Sequence, residues 1–312
     1  MPETTFVPLG DGFTVARQTT DAFLEAAWLG EGGHLYALLY QAQPYVVTLD
    51  GPGAYRDNPA YVGSLVGRVA NRIRDGRFTI DGQTYDVATN ENGNTLHAGP
   101  EGFEAQDWKM ADCGAGCVAF DHTSPDGHQG WPGTVKARLT SEVSGTTLTL
   151  TYTATTDAPT PLSLTQHTYF ALPGMTRVDD LTLHIPADTY TAVDADNLPN
   201  DYMTPVEGTP FDFRTPRKVG STFIDHSFNI PGEGLRPHAR LSYGDHEVTI
   251  LSTLPAVQIF TGEALDPPRS GLAAEPQFPP DLVNTADKED VILRPGETYE
   301  HIIQYVITPR KG

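Results

Sequence analysis

The sequence predicts an all-β protein, a sandwich or barrel of short strands, and three observations carry that expectation. Its 312 residues include 30 glycines and 26 prolines, with many Thr, Val and Tyr, a composition that breaks helices and suits half-buried strands. Thr147 to Thr155, TLTLTYTAT, alternates strictly, with Leu148, Leu150, Tyr152 and Ala154 on one side and threonines on the other. Short apolar runs recur about every ten positions between turn residues, the spacing of a sandwich or barrel.

The individual elements follow from the same rules. Arg77 to Ile80 and Thr84 to Val87, joined at Asp81-Gly82, read as a hairpin, because Asp-Gly supplies the positive φ angles of a tight turn. Further strands are expected at His34 to Tyr40, Tyr45 to Leu49, Leu181 to Ile185 and Val248 to Leu251. Three more are expected at Val257 to Thr261, Val291 to Leu293 and Thr298 to Ile307. Thr20 to Leu29 alone has the Ala, Leu and Glu content of a helix. The proline-rich stretches Asp194 to Pro216 and Leu265 to Asp281 read as long ordered loops, where sites commonly lie. Neither a fixed-period repeat nor a low-complexity linker divides the chain, so one domain spanning 1–312 is expected.

Charge narrows the partners. Forty acidic side chains against twenty basic ones give a net charge of -20, which repels nucleic acid and anionic membrane surfaces. A neutral or cationic small molecule is the expected partner, although a merely solvated acidic surface explains the same charge. The first residues, MPETTFVPLG, lack a basic region followed by an apolar one, and no run of 18 apolar residues occurs. These features predict a soluble, cytoplasmic protein. Cys113 and Cys117, with His122 and His128 downstream, faintly resemble a zinc site. Only a short insert separates Cys117 from His122, among turn residues, and a glycine-rich hairpin turn is the better reading.

Five segments place polar side chains where decoration of a surface would not need them: GRVANRI with Arg68 and Arg72, NTLHAG with His97, LTQHTYF with His167, IDHSF with Asp225 and His226, and AAEPQFPPD with Glu275. Singly, each histidine reads as a core residue satisfied by a backbone carbonyl, each carboxylate as a solvated loop residue, and Arg72 as a salt-bridge partner. Together they suit acid/base chemistry, because no G-x-S-x-G elbow, no cysteine beside a base and no phosphate-cradling glycine loop is present.

The order and wording of these segments resemble the aldose 1-epimerase, or galactose mutarotase, family from about Leu35 to Ile307. GRVANRI, TLHAG, SPDGHQGWPG (from Ser124), LTQHTYF, GTPFDFR (from Gly208), IDHSF, QIFTG (from Gln258), EPQFPPD (from Glu275) and LRPGETY (from Leu293) fall in the family's order. The resemblance implies a large antiparallel β-sandwich whose concave face binds a sugar. It implies Glu275 as general base, His167 as the acid that protonates the ring oxygen, and His97 as a second histidine near the anomeric centre. Arg72 with its neighbour Asn71, and Asp225, match positions that hold ring hydroxyls. Three departures bear on the pocket: Gln166 stands where the family usually has Asn, Ala98 replaces a glycine, and Glu263 follows Thr261-Gly262 in place of Asn.

The implied reaction opens a cyclic hemiacetal and recloses it on the other face, interconverting α and β anomers of a free hexose such as galactose or glucose. A carboxylate and an imidazolium assist the two proton movements, and no metal, nucleotide or redox cofactor is expected. At the start of one direction Glu275 is expected to be ionised and His167 charged, in a site whose acidity favours imidazolium, and the two exchange roles for the reverse closure. Trp131 or Phe278 is expected as an aromatic platform for the sugar. Relatives acting on a pentose, a ketose or a sugar phosphate, a noncatalytic carbohydrate-binding module, and a glycosidase or lyase are the competing readings, with monomer and homodimer both open.

Overall fold

A computed structural model describes residues 1–10 and 12–309. Among these residues every named helical segment is a short 3-10 turn, and strands carry the architecture. A nine-stranded antiparallel sheet runs in the order Lys109–Gly114, Cys117–Ser124, Val135–Ser144, Thr147–Thr156, Tyr299–Pro309, His246–Ser252, Arg236–Tyr243, Thr182–His184 and Arg217–Lys218. A six-stranded sheet runs Tyr169–Phe170, Leu272–Gln277, Ala256–Phe260, Asp225–Asn229, Thr189–Val193 and Pro199–Pro205. Glu3–Gly10, Phe13–Thr19, Leu24–Leu29, His34–Tyr40 and Gln43–Pro44 form a third, five-stranded sheet.

The nine-stranded and six-stranded sheets share one hydrophobic core, as the expected large antiparallel sandwich requires. Leu150, Tyr152, Ile303 and Tyr305 on the first belong to the same cluster as Phe228, Val257, Ile259, Leu272 and Ala274 on the second. The Phe170 ring meets Tyr305 edge-on at 5.1 Å. Each fully buried side chain of this kind contributes about 1.5–3 kcal/mol.

Several sequence expectations hold in detail. Thr147–Thr156 alternates buried and half-buried side chains, and Arg77–Ile80 pairs with Gln83–Asp86 across Asp81 and Gly82, at φ 50° and 80°. The cysteine segment is a hairpin between Lys109–Gly114 and Cys117–Ser124, and its two sulfurs are bonded to each other. His122 and His128 turn away from them, to the Asp107 carbonyl and the Glu101 carboxylate.

Four expectations are corrected. Thr20 to Leu29 is not helical: Thr20 closes a turn, its N–H donating to the Leu24 carbonyl and its hydroxyl accepting the Leu24 N–H, and Leu24–Leu29 is a strand. Its Leu24, Ala26 and Trp28 enter the main core while Ala27 and Leu29 enter another, so burial on both faces hides the alternation. Tyr45 to Leu49 forms no regular strand, because Tyr45 bonds back to Leu38 while Val47 bonds to Tyr169. Asp194 to Pro216 contains the edge strand Pro199–Pro205. Most consequentially, Leu265 to Asp281 contains the strand Leu272–Gln277, all six residues of which are buried.

Candidate active site

Strand register assembles the site. Leu272 and Ala274 point into the sandwich core, so the alternate residue Glu275 points to the opposite face of the six-stranded sheet. Glu275 pairs with Gln258, Gln258 with Ser227, and Ser227 with Thr191, a polar row across four strands. Asp225 stands two residues from Ser227 and therefore shares this face. His167 precedes the short strand Tyr169–Phe170, which pairs with Leu272–Gln277.

The opposing wall comes from two loops knotted by reciprocal hydrogen bonds. The His97 N–H donates to the Asn71 carbonyl at 3.0 Å, and the Asn71 N–H donates to His97 Nδ1 at 3.1 Å. Asn71, His97 and Ala98 hold positive φ angles of 65°, 51° and 72°. Because Nδ1 accepts, neutral His97 carries its proton on Nε2 and can donate it to a ligand.

Together these elements line a cavity of about 220 Å³ that includes Asn71, Arg72, Glu91, His97, His167, Asp225, Gln258 and Glu275. The six residues to which the resemblance gives a role, Asn71, Arg72, His97, His167, Asp225 and Glu275, all line it. His167 Nε2 lies 3.5 Å from Glu275 Oε1. The Gln258 amide donates to Asp225 Oδ1 at 2.6 Å, while Asp225 Oδ2 lies 3.9 Å from Arg72 Nη1. That separation is too long for a direct hydrogen bond, and a hydroxyl beside the two atoms could accept from Nη1 while donating to Oδ2.

Burial works against the charged form of both members of the acid/base pair. Both residues are almost wholly enclosed, Glu275 at 2% and His167 at 5% exposure. Desolvation pushes the Glu275 carboxyl well above its ordinary range, with Asp225 adding to the rise, and pushes His167 down to about 3. Both directions favour a proton on Glu275 and a neutral imidazole over the ionised pair. Burial likewise raises Asp225, opposed by Arg72 and the Gln258 hydrogen bond.

His97, His167 and Glu275 also offer ligand atoms within 4.8 Å of one another. His97 fits a metal poorly, since its Nδ1 lone pair is engaged by Asn71 and its Nε2 bears the proton.

Other candidates do structural work. Arg68, 1% exposed, donates to Ser124, Pro125, Pro132 and Thr160 and ties down a neighbouring loop. His226 packs on Phe211 at 4.3 Å. Trp131 donates to the Ala98 carbonyl and packs on Phe78, and Phe278 packs on His301, so neither is the expected platform. The cavity's aromatic walls are Tyr61, Tyr169 and Phe260. Tyr61 meets His97 edge-on at 4.6 Å and stacks on His167 at 5.9 Å. Gln166 turns into the core, donating to the Gly33 and Gly63 carbonyls, and Glu263 is engaged by Thr261 and Arg269. Sequence reasoning missed Glu91 and Tyr61, and gave Gln258 no role although it opens QIFTG. For Glu91 the available signal was a carboxylate in the turn just before NTLHAG.

The antiparallel sandwich thus brings a buried carboxyl–imidazole pair and an arginine–aspartate pair to one cavity, the arrangement of a site that can move protons and hold hydroxyls. The model of the aldose 1-epimerase family matches residues 16–306. Aldose 1-epimerase of Escherichia coli K12 is 36% identical over 286 residues, covering 81% of this chain and 82% of that protein. Galactose mutarotase of Homo sapiens is 36% identical over 270 residues, covering 79% of each. The crystal structure of a galactose 1-epimerase from Lactobacillus acidophilus superposes with a TM-score of 0.91 at 25% identity, covering 100% of this chain and 99% of that one. The chain belongs to the aldose 1-epimerase family and is accordingly an isomerase that acts on a sugar.

Proposed function

We propose that this enzyme, working as a single domain, interconverts the α and β anomers of a free neutral hexose, galactose or glucose, by acid/base ring opening and closure. The observation that carries the reading is the Glu275–His167 pair, 3.5 Å apart, in one cavity with Arg72 and Asp225, whose facing polar atoms a sugar hydroxyl could bridge.

With the sugar's far hydroxyl bridging those atoms, its anomeric carbon faces the acid/base pair. Glu275 as carboxylate takes the anomeric hydroxyl proton while His167 as imidazolium gives one to the ring oxygen. The C1–O5 bond breaks, the C1–O1 bond becomes a carbonyl, and the aldehyde rotates. Closure runs the same transfers backwards on the other face, so Glu275 and His167 exchange roles and no net proton is consumed. The resting neutral pair holds the same single proton as the ionised pair, placed on Glu275. Sugar hydroxyls supply the hydrogen bonds that favour moving it to His167. His97 Nε2–H supports the oxygen that gains negative charge.

The test is polarimetry on freshly dissolved α-D-glucose, α-D-galactose and a pentose, with the spontaneous rate subtracted. Wild type should accelerate equilibration, with a hexose ranked first, and Glu275→Gln should lose about 10²–10⁴-fold in turnover with a modest change in KM. Wild-type turnover in that variant would remove Glu275 as the base.

A further inference from the structure

Arg72 is the one arginine or lysine among the described cavity-lining residues, and it does not face the cavity unopposed. Glu91 grips it with two hydrogen bonds, Oε2 accepting from Nε at 2.6 Å and Oε1 from Nη2 at 2.9 Å. This is the planar fork geometry in which guanidinium otherwise captures a carboxylate or phosphate ligand. Nη1 and the second N–H of Nη2 remain uncommitted to Glu91, and Asp225 Oδ2 stands 3.9 Å from Nη1.

The grip is built into the backbone. Glu91 and Asn94 exchange two hydrogen bonds of 3.1 and 2.7 Å around a tight turn in which Asn92 and Gly93 hold φ angles of 48° and 85°. The Asn94 side chain is itself fixed, accepting the Asp75 N–H at 2.9 Å. Glu91 is thus presented to Arg72 by a rigid hairpin at the cavity wall.

We propose that Glu91 is a specificity-determining residue that restricts this site to sugars lacking an acidic substituent, by occupying the Nε/Nη2 fork of Arg72 and offsetting the charge of the one cation that a sugar acid or sugar phosphate would meet. The inference rests on the sugar-binding role of the cavity proposed above. An anionic sugar entering it meets Glu91 and Asp225 against one already paired cation. A neutral hydroxyl needs only Nη1 and Asp225 and meets no such opposition.

The experiment compares D-galactose with D-galacturonate, reading anomer exchange by NMR for wild type, Glu91→Gln and Glu91→Ala. Wild type should favour galactose strongly, and both variants should raise the galacturonate-to-galactose ratio of kcat/KM by about tenfold or more, the size of one removed repulsion at a partly exposed site. An unchanged ratio in both variants, or a wild type indifferent to the carboxylate, would overturn the proposal. Calorimetric titration with galacturonate reads the same question without turnover. Tighter, salt-sensitive binding by Glu91→Gln supports the assignment even if no sugar is turned over, and equal binding by both proteins overturns it. Failure of wild type to accelerate any sugar would instead strike the mutarotase reading.

Discussion

Single side chains here do what their surroundings permit, and the clearest case is His167. An unburied imidazole would titrate near 6.5, but desolvation takes His167 to about 3 while Glu275 is raised. Between those limits the pair holds one proton. The kcat/KM profile, which reports the free enzyme, should therefore be flat from roughly pH 5 to 7, with its acid limb near or below 3. A fall centred near 6.5 on the acid side would mean that His167 is solvated and the pair wrongly described. Asp225 is poised differently, fixed by Gln258 on one oxygen and open toward Arg72 on the other. Asp225→Asn should raise KM about tenfold with a smaller change in kcat, because the lost contact exists in ground and transition states alike. Equal KM values for several sugars in that variant and in wild type would take Asp225 off the binding wall.

At the scale of elements, the cavity wall around His97 depends on backbone that ordinary residues resist. His97, Ala98 and Gly99 occupy consecutive positive φ angles, the last at 99°, and a Cβ at Gly99 would lie 3.0 Å from the Ala88 carbonyl oxygen. Gly99→Ala should cost about 1–2 kcal/mol in denaturant unfolding and lower turnover, since a shift of this segment moves His97 away from Asn71. Unaltered stability would mean that the turn is less constrained than its geometry indicates. The strand Leu272–Gln277 carries the other wall, and its Pro276 interrupts neither pairing nor burial.

At the scale of the whole molecule, burial raises four carboxyls, Glu104, Asp225, Glu275 and Asp281, of which Glu275 and Glu104 shift furthest. The folded pKa of Glu275 is raised, so its contribution is fully present below the ordinary carboxylate value of 4.5 and is lost as pH rises through the folded value. Glu104, outside the catalytic pair, behaves likewise, with burial raising it to about 8. Global stability should therefore fall from pH 4.5 toward 8, and Glu275→Gln and Glu104→Gln should each flatten that slope in pH-dependent melting. Slopes matching wild type in both variants would show that neither acid is held protonated. The net charge of -20 adds self-repulsion over the same range, and salt should relieve that part alone.

What the sequence determined by itself was local or repeated. Alternation at Thr147–Thr156 and the Asp81-Gly82 hairpin were legible because a half-buried strand and a tight turn write their geometry into neighbouring residues. The family's motifs, spread from Gly67 to Tyr299, likewise named Arg72, His97, His167, Asp225 and Glu275, all of which line one cavity. Strands buried on both faces were not legible, and so Leu24–Leu29 reads as helix and Leu272–Gln277 as loop. Tertiary structure alone decided the polar row of Thr191, Ser227, Gln258 and Glu275, because register joins residues distant in the chain. It alone decided the neutral resting pair, the His97 tautomer and the Glu91 grip on Arg72. Desolvation and directional hydrogen bonds depend on what surrounds a group in space, and a linear pattern of residue types does not carry that information.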